Sequence, residues 1–299
     1  MTGAGARIRA GGAGGLLASA ALLLTLSAPP LVAQVDGDDL PWILGPTTVT
    51  LGKDVAQLQV GEEYIFADGD LTRQLLEWMG NPTGDTEVGL LAPADSLQNW
   101  FIIFEYFPVG YVKDDEADEI VPANLLKSIR EGTEAANEMR KEMGAPAIHV
   151  VGWSQEPHYD PATHNLVWAI LGRDDEGNEV VNYNVRLLGR GGYMSVTLVE
   201  EPKLLAQAMP QVEGVMAGFA FKPGKRYAEW VAGDKVAPYG IAALVTGVAA
   251  AKLGLFAALG KFLGKAWKLV AAGVAAVGLA IKKAWRAIFG GSDRGLARP

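Results

Sequence analysis

Val180-Val-Asn-Tyr-Asn-Val-Arg-Leu-Leu-Gly-Arg-Gly-Gly-Tyr-Met-Ser-Val-Thr-Leu-Val199 is the stretch that decides the fold. Two runs rich in β-branched and aromatic residues, 180–188 and 193–199, are separated only by Gly189-Arg-Gly-Gly192. A link that short and glycine-rich reverses the chain and pairs the runs as a hairpin. Upstream, His149-Val-Val-Gly-Trp153 and residues 166–171 carry the same strand signature, and Asp174-Asp-Glu-Gly-Asn178 is a second turn. Consecutive strands joined by short polar links make an antiparallel meander.

Toward the N-terminus, alternation marks strands at 47–51, 56–60 and 64–67, with Gly52 and Gly61 as breakers. A helix is expected over 71–79, with Asp70 as its N-cap, Leu71, Leu75 and Met79 on one face and Gly80-Asn-Pro82 as its stop. Trp100-Phe-Ile-Ile-Phe-Glu-Tyr106 is too apolar for an exposed strand and belongs in the middle of the sheet. Pro122 suits a first helical position, and Leu126, Ile129, Thr133, Ala136, Arg140 and Met143 recur at helical spacing up to Gly144. Toward the C-terminus, Pro202 opens a helix that Pro210 ends or kinks. Lys222-Pro-Gly-Lys225 has the residues of a type II turn and is expected to join strands 218–221 and 226–231 as a last hairpin. The class is α+β, a mainly antiparallel sheet with a few packed helices, followed by one or two C-terminal membrane helices. Residues 34–236 have the length of one core of ordinary size.

The two ends of the chain read as an address. Arg7 and Arg9 precede an uncharged stretch, 10–33, centred on 16–26 and closed by Leu31-Val-Ala33. This is the plan of a secretory signal peptide over 1–33, cut after Ala33 or after Ala28; the alternative is an uncleaved anchor. The second apolar run, 237–260, reaches the length of a transmembrane helix if Lys252 snorkels to the interface. Its small residues Ala243, Gly247, Ala251 and Gly254 form a close-packing face; the alternative is an amphipathic hairpin on the interface or on the domain. Between residues 10 and 251 there are 15 basic and 33 acidic residues, a formal charge of −18, whereas nine Lys or Arg and one acid follow from Lys252 onward. Basic flanks stay on the cytoplasmic side of a span. The expectation is therefore an inner-membrane anchor with the main domain periplasmic and the tail 261–299 cytoplasmic. That tail reads as an interfacial helix on anionic lipid rather than a second span, which would carry Lys282, Lys283 and Arg286 back across.

Leu51-Gly52, Gly80-Asn-Pro82, Gly110-Tyr-Val-Lys-Asp-Asp115, His149-Val-Val-Gly-Trp153, Pro157-His-Tyr-Asp160, 182–190, Pro223-Gly-Lys-Arg-Tyr227, Gly233-Asp-Lys235 and Tyr239-Gly240 form an ordered set. As a set they resemble a family of uncharacterised bacterial proteins known as predicted membrane-anchored proteins, a domain of unknown function. The resemblance runs from about Trp42 to the first C-terminal apolar run. It implies a membrane location and brings no established activity, so no site residues are carried over from it.

Candidate chemistry is sparse. The chain has no cysteine, which excludes a disulfide framework, a thiolate metal site and a catalytic thiol. His158, Asp160 and His164 lie on one proline-containing stretch, but a six-residue histidine spacing is not a recognised metal-ligand pattern, and turn-shaping is the better reading. Asp114 and Asp115 open an acidic run, Asp114 to Glu119, that lacks a calcium-loop pattern and reads as solvated acids. Serine-nucleophile motifs are missing: Ser154 and Ser195 lie in strands or their ends. Gly189-Arg-Gly-Gly192 joins two strands instead of feeding a helix, as a phosphate cradle would require, so it reads as a turn with an exposed Arg190. Arg186 points outward from its strand or is buried against a carboxylate, as an ion pair or a ligand clamp. Trp100, Trp153 and Trp168 read as core. No cofactor is implied, and the acidity argues against nucleic acid. The leading expectation is a noncatalytic binding or assembly domain with a lipid bilayer and a protein partner, or a second copy of itself, as partners. The alternatives are an envelope enzyme or a ligand sensor using carboxylates and His158.

Overall fold

The computed structural model describes residues 40–246, apart from 79, 80, 82, 96 and 143–145. The expected signal segment 1–33, most of the expected span 237–260 and the tail 261–299 lie outside the described residues.

Eight strands form one antiparallel sheet: β1 (Ile43–Leu44), β4 (Tyr64–Asp68), β5 (Glu87–Pro93), β6 (Phe101–Phe107), β7 (Ile148–Asp160), β8 (Asn165–Asp174), β9 (Glu179–Gly189) and β10 (Gly192–Glu200). Their spatial order is β1-β4-β5-β6-β10-β9-β8-β7. The expected meander is present as β7 to β10, and the apolar run at 100–106 becomes β6, fourth in from one edge. A second sheet, β11-β3-β2, is built from β2 (Thr47–Leu51), β3 (Ala56–Val60) and β11 (Phe219–Phe221).

The two faces of the large sheet are covered differently. On one, Phe104, Ile102, Met194, Val196, Leu198, Val185 and Leu187 pack against the small sheet and helix α3 (Leu205–Ala217) through Leu58, Ala208, Val212 and Val215. On the other, two apolar clusters stand side by side. Helix α1 (Gly69–Trp78) buries Leu71, Leu75 and Leu76 over β4, β5 and β6. Helix α2 (Pro122–Glu142) and the short α4 (Ala242–Thr246) cover β8 and β9 with Ile129, Ile241, Leu244 and Val245, against Leu166, Trp168, Ile170 and Leu188.

Four local expectations are corrected. Helix α1 starts two residues early, because the Asp68 carboxylate, not Asp70, accepts the Leu71 N–H at 2.9 Å, while Asp70 pairs with Arg73. Of the two alternatives for Pro210, an end or a kink, the helix end is excluded: Pro210 lies inside α3 and is exposed, as is Ala206 four residues before it, so the carbonyl that loses its partner faces water. β11 pairs with β3 instead of with 226–231, where Tyr227–Glu229 is a single 3-10 turn. β7 runs to Asp160, with register shifts that let a long strand bend, so His158 is a strand residue and the reversal is confined to 161–164. The type II turn at 222–225 is present: Lys225 N–H donates to the Lys222 carbonyl at 3.0 Å, and Gly224 takes φ +80°.

The domain's packing also continues past residue 236. Ala237 N–H donates to the Tyr111 carbonyl at 2.8 Å, and Ala237, Ile241, Leu244 and Val245 are buried. Among the described residues no helix is long and apolar enough to cross a membrane.

Candidate functional site

Antiparallel strands bring the C-terminal end of β6, the β7–β8 turn and the β9–β10 turn to the same end of the sheet. The segments 108–115 and 222–239 close over that end. Gly110 N–H donates to the Gly191 carbonyl at 3.0 Å, Tyr111 N–H to the Lys235 carbonyl at 2.8 Å, and Arg190 N–H to the Lys225 carbonyl at 2.9 Å. Gly110 is required there: it has φ +101°, and a Cβ would lie 2.6 Å from the Lys235 carbonyl oxygen. Four of the sequence-distant motifs are thus neighbours in space.

The loop end holds a polar and aromatic cluster. The Tyr159 hydroxyl donates to Asp114 Oδ2 at 2.5 Å and lies 3.0 Å from His164 Nδ1, which is 3.7 Å from the same carboxylate oxygen. His164 is placed by a left-handed backbone, φ 55°. Tyr227 stacks on Tyr111 at 4.3 Å and meets the His164 ring at 4.4 Å, and Trp230 lies 5.4 Å from Tyr111. Burial opposes ionisation of Asp114, but the hydrogen bond from Tyr159, with the Tyr227 hydroxyl also nearby, outweighs it and holds the carboxyl below its ordinary range. Burial, and then Asp114, pushes the Tyr159 phenol far up, so it remains a donor.

Beside this cluster is a cavity of about 400 Å³ lined by Gly110, Arg190, Gly191, Gly224, Lys225, Asp234 and Lys235. Arg190 is not a free turn residue: it grips Asp234 through two bonds, Nε to Oδ2 at 2.7 Å and Nη2 to Oδ1 at 2.9 Å. This bidentate contact holds the Asp234 carboxyl below its usual range, helped by the Val231 N–H.

The expected site residues separate. Asp114 and His164 come together. His158 is opposite Val167 on β8, whereas Tyr159 is opposite Leu166, so His158 faces away from His164. Asp160 caps its own turn, accepting from Ala162 N–H at 2.9 Å and Thr163 Oγ1 at 2.7 Å. Asp115 is exposed, 3.8 Å from Lys113. Among the described residues no group of three His, Asp or Glu is arranged to hold a metal ion.

Arg186 lies elsewhere, in a polar seam between the α1 and α2 clusters. In the strand register Glu87, Glu105, Ser195 and Arg186 form one cross-sheet row. Ser195 Oγ donates to Glu105 Oε2 at 3.1 Å, and Arg186 lays its guanidinium 4.7 Å from the Trp168 ring centroid and donates to the Val185 carbonyl. Glu105 is thus the carboxylate nearest in register, but no Arg186 ion pair within 4.0 Å forms among the described residues. Burial, reinforced by Glu87, pushes Glu105 up to about 7 against the pull of Arg186 and Ser195. The seam continues through Thr197 and Asn184 to Asn182, all buried. Neither the aromatic stack nor Glu105 stood out in the sequence, since Tyr111, Tyr227 and Trp230 meet only through long-range backbone contacts.

A family model described as a protein of unknown function, DUF2167, matches residues 43–278. The chain belongs to the DUF2167 family. No curated relative matches it. Among solved structures, the DUF2167 chain overlaps the cyanobacterial PsbP (CyanoP) of Synechocystis sp. PCC 6803 with TM-score 0.37 and 10% identity, over 59% of this chain and 92% of that one. The Ran-binding protein Mog1p of Saccharomyces cerevisiae overlaps with TM-score 0.31 and 10% identity, over 60% and 96%. Likenesses this distant carry no functional argument.

Proposed function

We propose that this DUF2167 chain is a noncatalytic binding or assembly domain held at the inner membrane by its C-terminal run, with the domain on the periplasmic side. The observation that carries the reading is the connection at residues 235–246. Lys235 and Ala237 bond to Tyr111 in the loop end, and Ile241, Leu244 and Val245 sit in the core. The apolar run therefore leaves from a fixed point beside the loop cluster, which orients that cluster relative to whatever the run enters. The charge split supports the sidedness, an acidic domain followed by a basic tail.

The test is cross-linking of the full-length protein in its native membranes with mass spectrometry of the attached species, against a control lacking 247–299 that keeps the buried residues up to Thr246. A discrete partner that vanishes with the tail is expected; attachment to lipid alone would remove the reading. Reporter fusions at Ser292 test sidedness, and an export-active fusion there overturns the single-span arrangement.

A second reading, an envelope enzyme, is favoured by one observation: Asp114, Tyr159 and His164 converge on one oxygen. Alanine at Asp114 and at His164 separates the two. Loss of cellular function with abundance, fold and partner cross-links intact supports the enzyme.

A further inference from the structure

We propose that the 400 Å³ cavity at the loop end is a binding site for a phosphate-bearing anion, with Lys225 and Lys235 as its cationic contacts. Its lining carries three cations and one acid, on a domain that is otherwise strongly acidic. The single acid does not cancel the cations one for one. Asp234 is saturated by both Arg190 nitrogens and by the Val231 N–H. Arg190 serves to neutralise and fix that carboxylate, so the rim is left with two lysines.

Neither lysine has an ion-pair partner within 4.0 Å among the described residues, whereas Lys222, in the same turn as Lys225, pairs with Asp54 at 2.6 Å, and Lys113, Lys127 and Lys203 also meet acids. Two lysines on separate loops thus line one cavity, and neither ammonium meets an acid within 4.0 Å among the described residues. An anion in the cavity gains a charge-assisted contact with each. Lysine suits such a role as a point charge for phosphate.

The loops are also fixed in place. Arg190 N–H to Lys225 and Tyr111 N–H to Lys235 tie both lysine backbones to the sheet end. Three of the seven lining residues are glycines, Gly110, Gly191 and Gly224, which leave the cavity walls without side chains and let an anion approach the backbone. The volume falls in the range of small-ligand pockets, about 300–1,000 Å³. A phosphate ester in solution and the phosphate of an anionic lipid headgroup share the chemistry the cavity selects.

This inference takes the loop end to be the binding surface, but its test stands apart from the cross-linking. Inorganic phosphate is titrated calorimetrically into the full chain in a nonionic, phosphate-free detergent, and hydrogen exchange is followed over 222–235. Saturable binding with slowed exchange there is expected, weakened about tenfold or more by Lys225→Gln with Lys235→Gln. A charge-matched control, Lys127→Gln with Lys203→Gln, removes two distant surface cations and is expected to bind as the parent does. The source is then resolved in nanodiscs of phosphatidylcholine with and without phosphatidic acid. Slowed exchange over 222–235 only with phosphatidic acid identifies a headgroup, and no change on adding it identifies a soluble phosphate ester. Absence of phosphate binding in detergent overturns the proposal, as does equal weakening by the two double substitutions. Thermal melting of each variant separates lost binding from lost fold.

Discussion

Asn137 on α2 holds the backbone of Ile148 from both sides: its amide donates to the Ile148 carbonyl at 2.8 Å, and its Oδ1 accepts the Ile148 N–H at 2.9 Å. Ile148 opens β7, the edge strand of the large sheet, and an edge presents unpaired peptide groups that invite another chain. Two helix turns nearer its start, Arg130 reaches the carbonyls of Val150 and Val151, and Trp153 Nε1 bonds to the Pro122 carbonyl. α2 thus closes the edge with side chains instead of with a further strand.

Asn137→Ala is expected to leave two buried peptide groups without partners, at about 1–3 kcal/mol each. The melting temperature should fall by several degrees, and concentration-dependent association through β7 should appear in analytical ultracentrifugation. Unchanged melting would show that water replaces the asparagine at no cost.

Glu105 sets a pH dependence of opposite sign to the usual carboxylate. Its folded-state value is pushed up to about 7 from 4.5. The folded protein therefore keeps a proton that the unfolded chain releases, and stability falls as pH rises from 4.5 to 7, then stays low above that. Glu105→Gln, which still accepts from Ser195, should raise stability at pH 8 by no more than about 3 kcal/mol and flatten that decline. Urea midpoints at pH 5 and pH 8 for both proteins give the comparison.

Asp114 behaves in the ordinary direction. Its carboxyl is held below 3.8, so the stability it contributes is complete above that value and is lost as pH falls through the lowered one. Tyr159→Phe removes the 2.5 Å hydrogen bond and should cost about 1–2 kcal/mol at neutral pH while raising the Asp114 titration midpoint. Carboxyl-carbon NMR of the variant reads that midpoint directly; an unmoved value would assign the depression to Tyr227 instead.

Strands whose burial is one-sided or complete were readable because residue pattern and pairing agree: β6 is nearly all apolar and lies inside the sheet, and β8 to β10 follow their turns. Where tertiary contacts compete with local pattern, reading failed. Residues 226–231 have strand-like composition, yet β11 finds β3 as a partner and Tyr227 is drawn inward to bond the Val112 carbonyl. Pro210 signals a helix end or a kink, and the end is excluded because Ala208, Val212 and Val215 anchor α3 on both sides of it. The site was half legible for a related reason. Asp114 and His164 are chemically conspicuous, whereas their partners Tyr159 and Tyr227, like the Arg190–Asp234 pair, are defined by contacts 44 or more residues apart in three of four cases.

The apolar segment after residue 236 begins as part of the domain, and truncation exposes the difference. Ile241, Leu244 and Val245 are buried beside Ile129 and Trp168. Full burial of each side chain is worth about 1.5–3 kcal/mol, so a chain ending at residue 236 loses on the order of 5 kcal/mol, comparable with the whole stability of many domains. Removal of Ala237 also frees the Tyr111 carbonyl, which loosens the aromatic stack with Tyr227. A chain ending at 246 should melt cooperatively as a soluble monomer, and one ending at 236 should aggregate or bind a hydrophobic dye. Ile241→Ala in the longer chain, with an expected loss of about 2–4 kcal/mol, distinguishes lost packing from the mere position of the new terminus. Equal stability of the two truncated chains would place the domain boundary at 236 and detach the loop end from the apolar run.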